Sequence, residues 1–410
     1  MKKNIYNLIW KWHFIGGLIS LPIVVLLSIT GIIYLFKDNY ENKRLTEMTH
    51  ITPKGNQISY QEQWEKVENQ WGKKPEALVI NDENNKATEF TSGMFSHKSS
   101  FFIHPYTGEE TGRITLNKTD MHQVRKLHGE LLLGKFGTKI VELVASWMIV
   151  LLFSGIYLFW PRNGFKSLFT IRTKLSKRIL FRDIHAVTGF WFSFLIILIL
   201  AGGLPWTDVF GSGYKWVQDS TESGFPSTWS SRSLKSVPSK ESLPLDDLVN
   251  KSKQLHLNGK VSIHLPNSPT GIYSISNETS ELSKMKVFHF DQYSGKLIKS
   301  HTWADIGIMM KTRIWVMAFH QGQFGTWNFL LIILSAFALI VLSLSAVFSY
   351  LKRKPKENFR LPSTPKDLKL GVGLITMISI LGLILPLFGI SLIFIVLITA
   401  IKRKIKPFRS

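Results

Sequence analysis

The sequence predicts a polytopic α-helical membrane protein in which a helix, an outside domain and a second helix occur twice, followed by a C-terminal pair of short membrane helices. Three observations carry that expectation. Apolar runs at 14–36, 140–160, 184–206, 327–351 and 370–401, free of Asp, Glu, Lys and Arg apart from Glu142, are each long enough to cross or deeply enter a bilayer. The net charge of +22 is concentrated beside those runs, and a set of His and Gly landmarks recurs in the same order in both halves.

The charge sets the orientation. Residues 1–11 carry Lys2, Lys3 and Lys11, and 161–182 carries seven basic residues with no acid. Residues 352–369 carry seven against Glu357 and Asp367, and the tail 402–410 carries five more. These four short segments hold +20 of the +22, so the basic excess follows the positive-inside pattern and a nucleic-acid partner is excluded. With no cysteine in the chain, thiolate metal sites, disulfides and covalently attached c-type haem are excluded too.

The elements then follow in order. Residues 1–36 are a first membrane helix starting inside. Lys37, Asp38 and Asn39 follow it in place of a small-residue cleavage site, so a cleaved signal peptide is not expected. Residues 37–120 form an outside domain, 121–160 an interfacial segment and second membrane helix, and 161–182 a basic inside loop. Residues 183–206 form the third helix, 207–310 a second outside domain, 311–351 an interfacial segment and fourth helix, and 352–369 a second basic inside loop. The run 370–401 is too long for one ordinary span, and Pro386 near its centre predicts a hinged hairpin that returns the 402–410 tail to the inside; a single strongly tilted helix is the alternative. Both outside segments contain a strand running into a tight turn, Phe101 to Gly108 and Val287 to Gly295, with Gly supplying the positive φ.

The repeat within the membrane is marked by histidine. His13 precedes Gly17 by four residues and Gly31 by eighteen; His185 stands in the same relation to Gly189 and Gly203. Leu127-His128-Gly129 and Phe319-His320-Gln321-Gly322 mark the second and fourth helices. One such His is as readily an interfacial anchor as a ligand, but four at related positions point to function. The topology sorts them into two pairs, His13 with His185 near the cytoplasmic face and His128 with His320 near the outer face. Facing imidazoles with Gly16, Gly17 and Gly189 on one side, and Gly129, Gly134 and Gly322 on the other, suit axial ligation of two b-type haems. Arg125, Arg182 and Arg313 are candidate propionate partners, with plain interfacial anchoring as the alternative, and Lys11 is a further one. Asp183 is read as a helix N-cap, and Glu142, inside an apolar run, as a group that must face protein or water. The stretch from His128 to Trp160 would span roughly 48 Å as one straight helix, which strains electron transfer between the two pairs.

These residues also carry a family resemblance. Lys11-Trp12-His13 through Thr30-Gly31, Leu127 to Gly134 with Ser154-Gly155 through Arg162, the Ile184-His185 and Phe319-His320 segments and the Tyr-Thr-Gly turn resemble the PepSY-associated transmembrane family over nearly the whole chain. The resemblance implies a bacterial inner-membrane protein with both termini cytoplasmic and two periplasmic α+β PepSY-like domains. Some members of that family are ferric-siderophore reductases with two haems; others are known only as iron-regulated membrane proteins. The second half departs from the family pattern, with Gly202-Gly203 and Ser345-Ala346 where the first has Thr30-Gly31 and Ser154-Gly155.

The expectation is therefore a di-haem b-type oxidoreductase, in iron acquisition, that takes electrons from a cytoplasmic or quinol donor and reduces a ferric siderophore or other ferric complex outside. The first alternative is a membrane-anchored protein whose outside domains bind or regulate another envelope protein without redox activity. A transporter ranks third, because both halves run in the same orientation and Glu142 is the one charge deep in a span.

Overall fold

The computed structural model describes residues 2–81, 83–160, 164–353 and 371–405. The chain divides into two compact units, a helical one of residues 1–35, 125–217 and 316–410, and a sheet-containing one of residues 36–124 and 218–315.

The helical unit is built on α1 (Lys2–Leu35), α5 (Gly134–Phe159), α6 (Lys177–Gly203) and α10 (Thr326–Leu351). Helices α1, α5, α6 and α10 all belong to stretches long and apolar enough to cross a membrane. Within the unit α6 packs along α10, α1 along α5 and α10, and α5 along α6. Leu152, Ile196 and Leu342 are buried together where α5, α6 and α10 meet. The third helix begins at Lys177, six residues earlier than the basic-loop boundary implies, because Ser176 rather than Asp183 precedes its first turn. Two shorter apolar helices, α11 (Val372–Ile384) and α12 (Pro386–Ile405), meet at Pro386, which occupies the first position of α12 where its missing N–H costs nothing. Gly382 and Gly389 let them approach: a Cβ on Gly389 would lie 2.4 Å from the Gly382 carbonyl oxygen. Trp147 stands within α5 and donates its indole N–H to Ser391 Oγ at 3.2 Å, seating this hairpin. Of the basic segments, Arg162, residues 354–369 and residues 406–410 lie outside the described residues.

The second unit contains α2 (Lys37–Thr49), α3 (Tyr60–Trp71), α8 (Leu245–Gln254) and eight strands. These are β1 (Ala77–Ile80), β2 (Thr88–Ser92), β3 (Ser99–Ile103), β4 (Glu110–Thr115), β5 (Lys260–His264), β6 (Ile272–Glu278), β7 (Lys286–Asp291) and β8 (Leu297–Thr302). All neighbouring pairs are antiparallel, in the order β4-β3-β2-β1-β5-β6-β7-β8. The two outside segments therefore share one sheet instead of forming two separate domains. The cause is β1: Ala77, Leu78 and Val79 are all buried, so both faces of this strand need cover and its free edge needs a partner, which β5 supplies. Phe101, Phe90, Leu78, Ile263, Ile275 and Phe288 stand in one row across six strands. Val67 of α3 and Leu245, Leu248 and Val249 of α8 cover that face. Asp246 of α8 accepts the N–H groups of Tyr60 and Gln61, closing the N-terminus of α3.

Gly108 and Gly295 both take positive φ, 73° and 63°, in the turns that follow β3 and β7. In the second turn the Asp291 carboxylate accepts from Val237, Tyr293 and Ser294 N–H and from the Ser294 hydroxyl. Burial pushes this carboxyl up, but the Ser294 backbone and hydroxyl bonds, then Tyr293 and Val237, outweigh it and hold the group at about 2. On β7 and β8, burial first, then the neighbouring His301, lowers His289, and burial lowers His301. Both shifts leave the unfolded chain binding more protons than the folded one, so stability falls with acid. The full chain in detergent is expected to lose thermal stability as pH drops below about 6.5, the unfolded-state value for His, and again between about 4 and about 2 as Asp291 protonates. Melting curves across that range check this; an Asp291→Asn variant should show a smaller second loss, the remainder coming from the other lowered carboxylates such as Glu110 and Asp305.

Candidate functional site: two imidazole pairs in the helical unit

The four histidines singled out by the repeat come together two by two. His13 on α1 and His185 on α6 have ring centroids 6.2 Å apart, their planes at 86°. His128 and His320 have centroids 6.1 Å apart at 65°. His128 and His320 do not open spanning helices: His128 lies on α4 (Asp120–Glu130) and His320 ends α9 (Ile308–His320), each short helix preceding the span. The break after α4 is made by Leu131 and Leu132, both with positive φ, and the one after α9 by Gly322 and Gly325.

Each imidazole has its Nδ1 committed. His185 Nδ1 lies 2.9 Å from the Leu342 carbonyl oxygen and His320 Nδ1 2.8 Å from that of Ile199; a carbonyl only accepts, so Nδ1 carries the proton. His13 Nδ1 lies 2.9 Å from Ser154 Oγ, and His128 Nδ1 3.1 Å from Thr30 Oγ1. Ser154 gives its own proton to Leu151 O and Thr30 gives its to Leu26 O, so both hydroxyls accept from the imidazoles. All four rings are thereby set with Nδ1–H, leaving the Nε2 lone pair as the available ligand. This is the arrangement in which a metal-binding imidazole is oriented by a second group.

Glycine makes room beside the rings. A Cβ on Gly155 would come 3.2 Å from His13 Cε1, and one on Gly31 3.2 Å from His128 Cε1. Gly202 and Gly203 do the same at His320, where a Cβ on Gly202 would meet its Cβ at 2.6 Å. Gly129 and Gly134, expected to serve the His128–His320 pair, meet nothing within 4 Å, and Gly16 packs on Trp147. Gly17, Gly155 and Gly189 line a cavity of about 680 Å³ that also has His13 and His185 in its wall.

Four arginines reach that cavity: Arg172, Arg178, Arg182 and Arg353. Arg182 was expected; the others were not, since Arg172 and Arg178 stand in a basic loop whose charge already had a topological explanation. Asp183 is no helix cap. It lies inside α6, is 5% exposed, and takes Arg172 in a two-pronged pair at 2.7 and 2.8 Å, with Arg182 at 3.0 Å. Arg353 lies over the rings of Trp10, Phe14 and Tyr350. At the other pair, Arg125 is exposed on α4, and Arg313 falls in the sheet-containing unit.

Glu142 has a structural task. Fully buried on α5, it accepts the N–H groups of Val209 and Phe210 at 2.8 and 2.9 Å and so caps α7 (Val209–Ser220). Glu142→Ala leaves two partly buried donors without their acceptor and is expected to cost about 1–3 kcal/mol of stability, seen as a lower melting temperature in detergent, with Glu142→Gln milder.

The spacing of the pairs limits what they can hold. A metal–imidazole bond is about 2.0 Å and the nitrogen lies about 1.1 Å from the ring centre, so two rings on opposite sides of one metal atom stand about 6 Å apart. Both pairs meet that distance, and the largely apolar cavity at His13 and His185, with four arginines among its lining residues, fits a b-type haem with its propionates. His13 and Thr30, which locate the two pairs along α1, are separated by seventeen residues, or roughly 25 Å. The 48 Å expected from a single helix running from His128 to Trp160 does not arise, because α4 and α5 are separate helices.

No curated protein matches the chain. The family model for the PepSY-associated TM region matches residues 10–353, from just ahead of His13 to the end of the fourth long helix. The chain is a membrane protein of the PepSY-associated TM family.

Proposed function

We propose that this protein is a di-haem b-type inner-membrane oxidoreductase that carries electrons across the membrane and reduces a ferric complex, such as a ferric siderophore, on the far side. The observation that supports this reading best is the pair of imidazole pairs, each at two-ligand spacing with all four Nε2 atoms left available. Haem, when bound, supplies one-electron Fe(III)/Fe(II) chemistry. The chain's own residues do the rest. His13 and His185 would hold one haem, with Arg182 and the arginines beside it facing its propionates, and His128 and His320 the other. Thr30, Ser154, Leu342 and Ile199 orient the four rings. Two halves, each a helix, four strands and a helix, are read as a repeat whose joint eight-stranded sheet offers the docking surface for the ferric complex.

The basic segments orient the chain, with both termini and the His13–His185 pair on the cytoplasmic side, facing a cytoplasmic or quinol donor. Reducing Fe(III) weakens its hold on hard oxygen ligands, which releases iron from a siderophore. Proteoliposomes enclosing a ferric hydroxamate chelate and an Fe(II) indicator, with dithionite added outside, test the proposal. The expected result is rapid Fe(II) formation inside; a rate equal to that of protein-free vesicles would contradict it and favour the envelope-binding alternative.

A further inference from the structure

The four imidazoles are not held alike. In the second half both reach a peptide carbonyl directly: His185 that of Leu342 and His320 that of Ile199. In the first half a hydroxyl stands at hydrogen-bond distance from Nδ1 as well, Ser154 for His13 and Thr30 for His128, beside the Leu151 and Leu27 carbonyls. The positions correspond. Ser154 gives its proton to Leu151, three residues earlier, as Ser345 does to Leu342, while Thr30 donates to Leu26 and, more distantly, to Leu27. Where the second half has Gly202, no side chain intervenes and the carbonyl three residues earlier, Ile199, is reached directly.

Each hydroxyl also ties its helix to another helix of the same half. His13 on α1 is held by α5, and His128 on α4 is held by α1. Every imidazole pair then crosses between halves, with one ring held by a hydroxyl and the other by a carbonyl. Helical Ser and Thr often bond back to a carbonyl without further consequence. Here the back-bond decides the direction of a second bond, since a hydroxyl whose one proton is spent can only accept from Nδ1.

We propose that Ser154 and Thr30 are positioning residues that fix His13 and His128 in the Nδ1–H tautomer and set the donor strength of their Nε2 atoms. This rests on the haem reading above. An acceptor at Nδ1–H makes Nε2 more basic and favours ferric iron, so its loss raises the midpoint potential. The effect is separable by pair, because Ser154 touches one and Thr30 the other.

The test uses full-length protein purified from cells with ample haem, titrated redox-optically beside Ser154→Ala, Thr30→Val, Ser154→Thr and Thr30→Ser. Ser154→Ala is expected to shift one of two midpoint potentials upward and Thr30→Val the other, while the two hydroxyl-retaining variants keep both wild-type values. Loss of one haem in Ser154→Ala or Thr30→Val, with that haem kept in the hydroxyl-retaining variant, supports the proposal equally. Wild-type potentials in Ser154→Ala and Thr30→Val, or equal shifts in the conservative variants, would overturn it while leaving the haem reading intact. A wild-type chain that carries no haem would overturn the haem reading and this inference with it.

Discussion

His128→Leu is expected to leave one haem per chain where the wild type holds two, and His13→Leu to remove the other one. In the proposed arrangement each ring supplies one of two ligands at about 6 Å spacing, so its removal would leave a single imidazole facing the space. The pairs stand roughly 25 Å apart along α1, which makes the losses independent between pairs and non-additive within one. His13→Leu and His185→Leu should therefore give the same residual spectrum, and the double variant no further loss. His128→Leu and His320→Leu should give the other residual spectrum. Leu is the replacement of choice because it is apolar, of similar volume, and at home in a helix. Identical spectra in all four single variants and the wild type would remove the histidines from any ligand role. Haem counted per chain, with melting temperature beside it to show that the fold persists, provides the check.

The second large effect is expected from Gly202→Ala. An added Cβ would lie 2.5 Å from the Val316 carbonyl oxygen and 2.6 Å from His320 Cβ, neither of which is the free end of a flexible chain. Helix α9 must move away from α6, and with it goes the 2.8 Å bond from His320 Nδ1 to the Ile199 carbonyl. Overpacking of this kind costs about 1–3 kcal/mol, and here it falls on the position of a ligand. Haem content is expected to drop from two toward one, the His128–His320 site being the one lost. Gly129→Ala, beside His128 but with open space at its Cβ, should retain both.

The distribution of apolar runs and basic flanks made the long helices legible, since a span must be apolar over its whole length and its ends carry the charge. The histidine pairs were legible for a related reason: the same His-to-Gly spacings recur along the chain, and the expected alternation of helix direction sorts the four residues into the two pairs that the structure brings together. What the chain did not announce was long-range or against local propensity. The pairing of β1 with β5 joins residues about 180 positions apart, and nothing local to Ala77–Ile80 distinguishes an edge strand from a central one. Leu131 and Leu132 take positive φ, a conformation leucine rarely adopts, so the break between α4 and α5 reads in sequence as continuous helix. Asp183 resembles a cap because it precedes an apolar run, yet Arg172 neutralises it inside α6 and lets that helix start at Lys177. The departure at Gly202 was visible as a missing hydroxyl. Its meaning, a carbonyl reached directly, depends on the approach of two helices that no sequence spacing reveals.

The most direct measurement is a reduced-minus-oxidised absorption spectrum of the purified full-length protein, with haem counted per chain. Two b-type haems per chain are predicted, one for each imidazole pair. Absence of haem in protein made with an ample haem supply would contradict the central claim, and the eight-stranded sheet would then stand as the working part of a membrane-anchored binding protein.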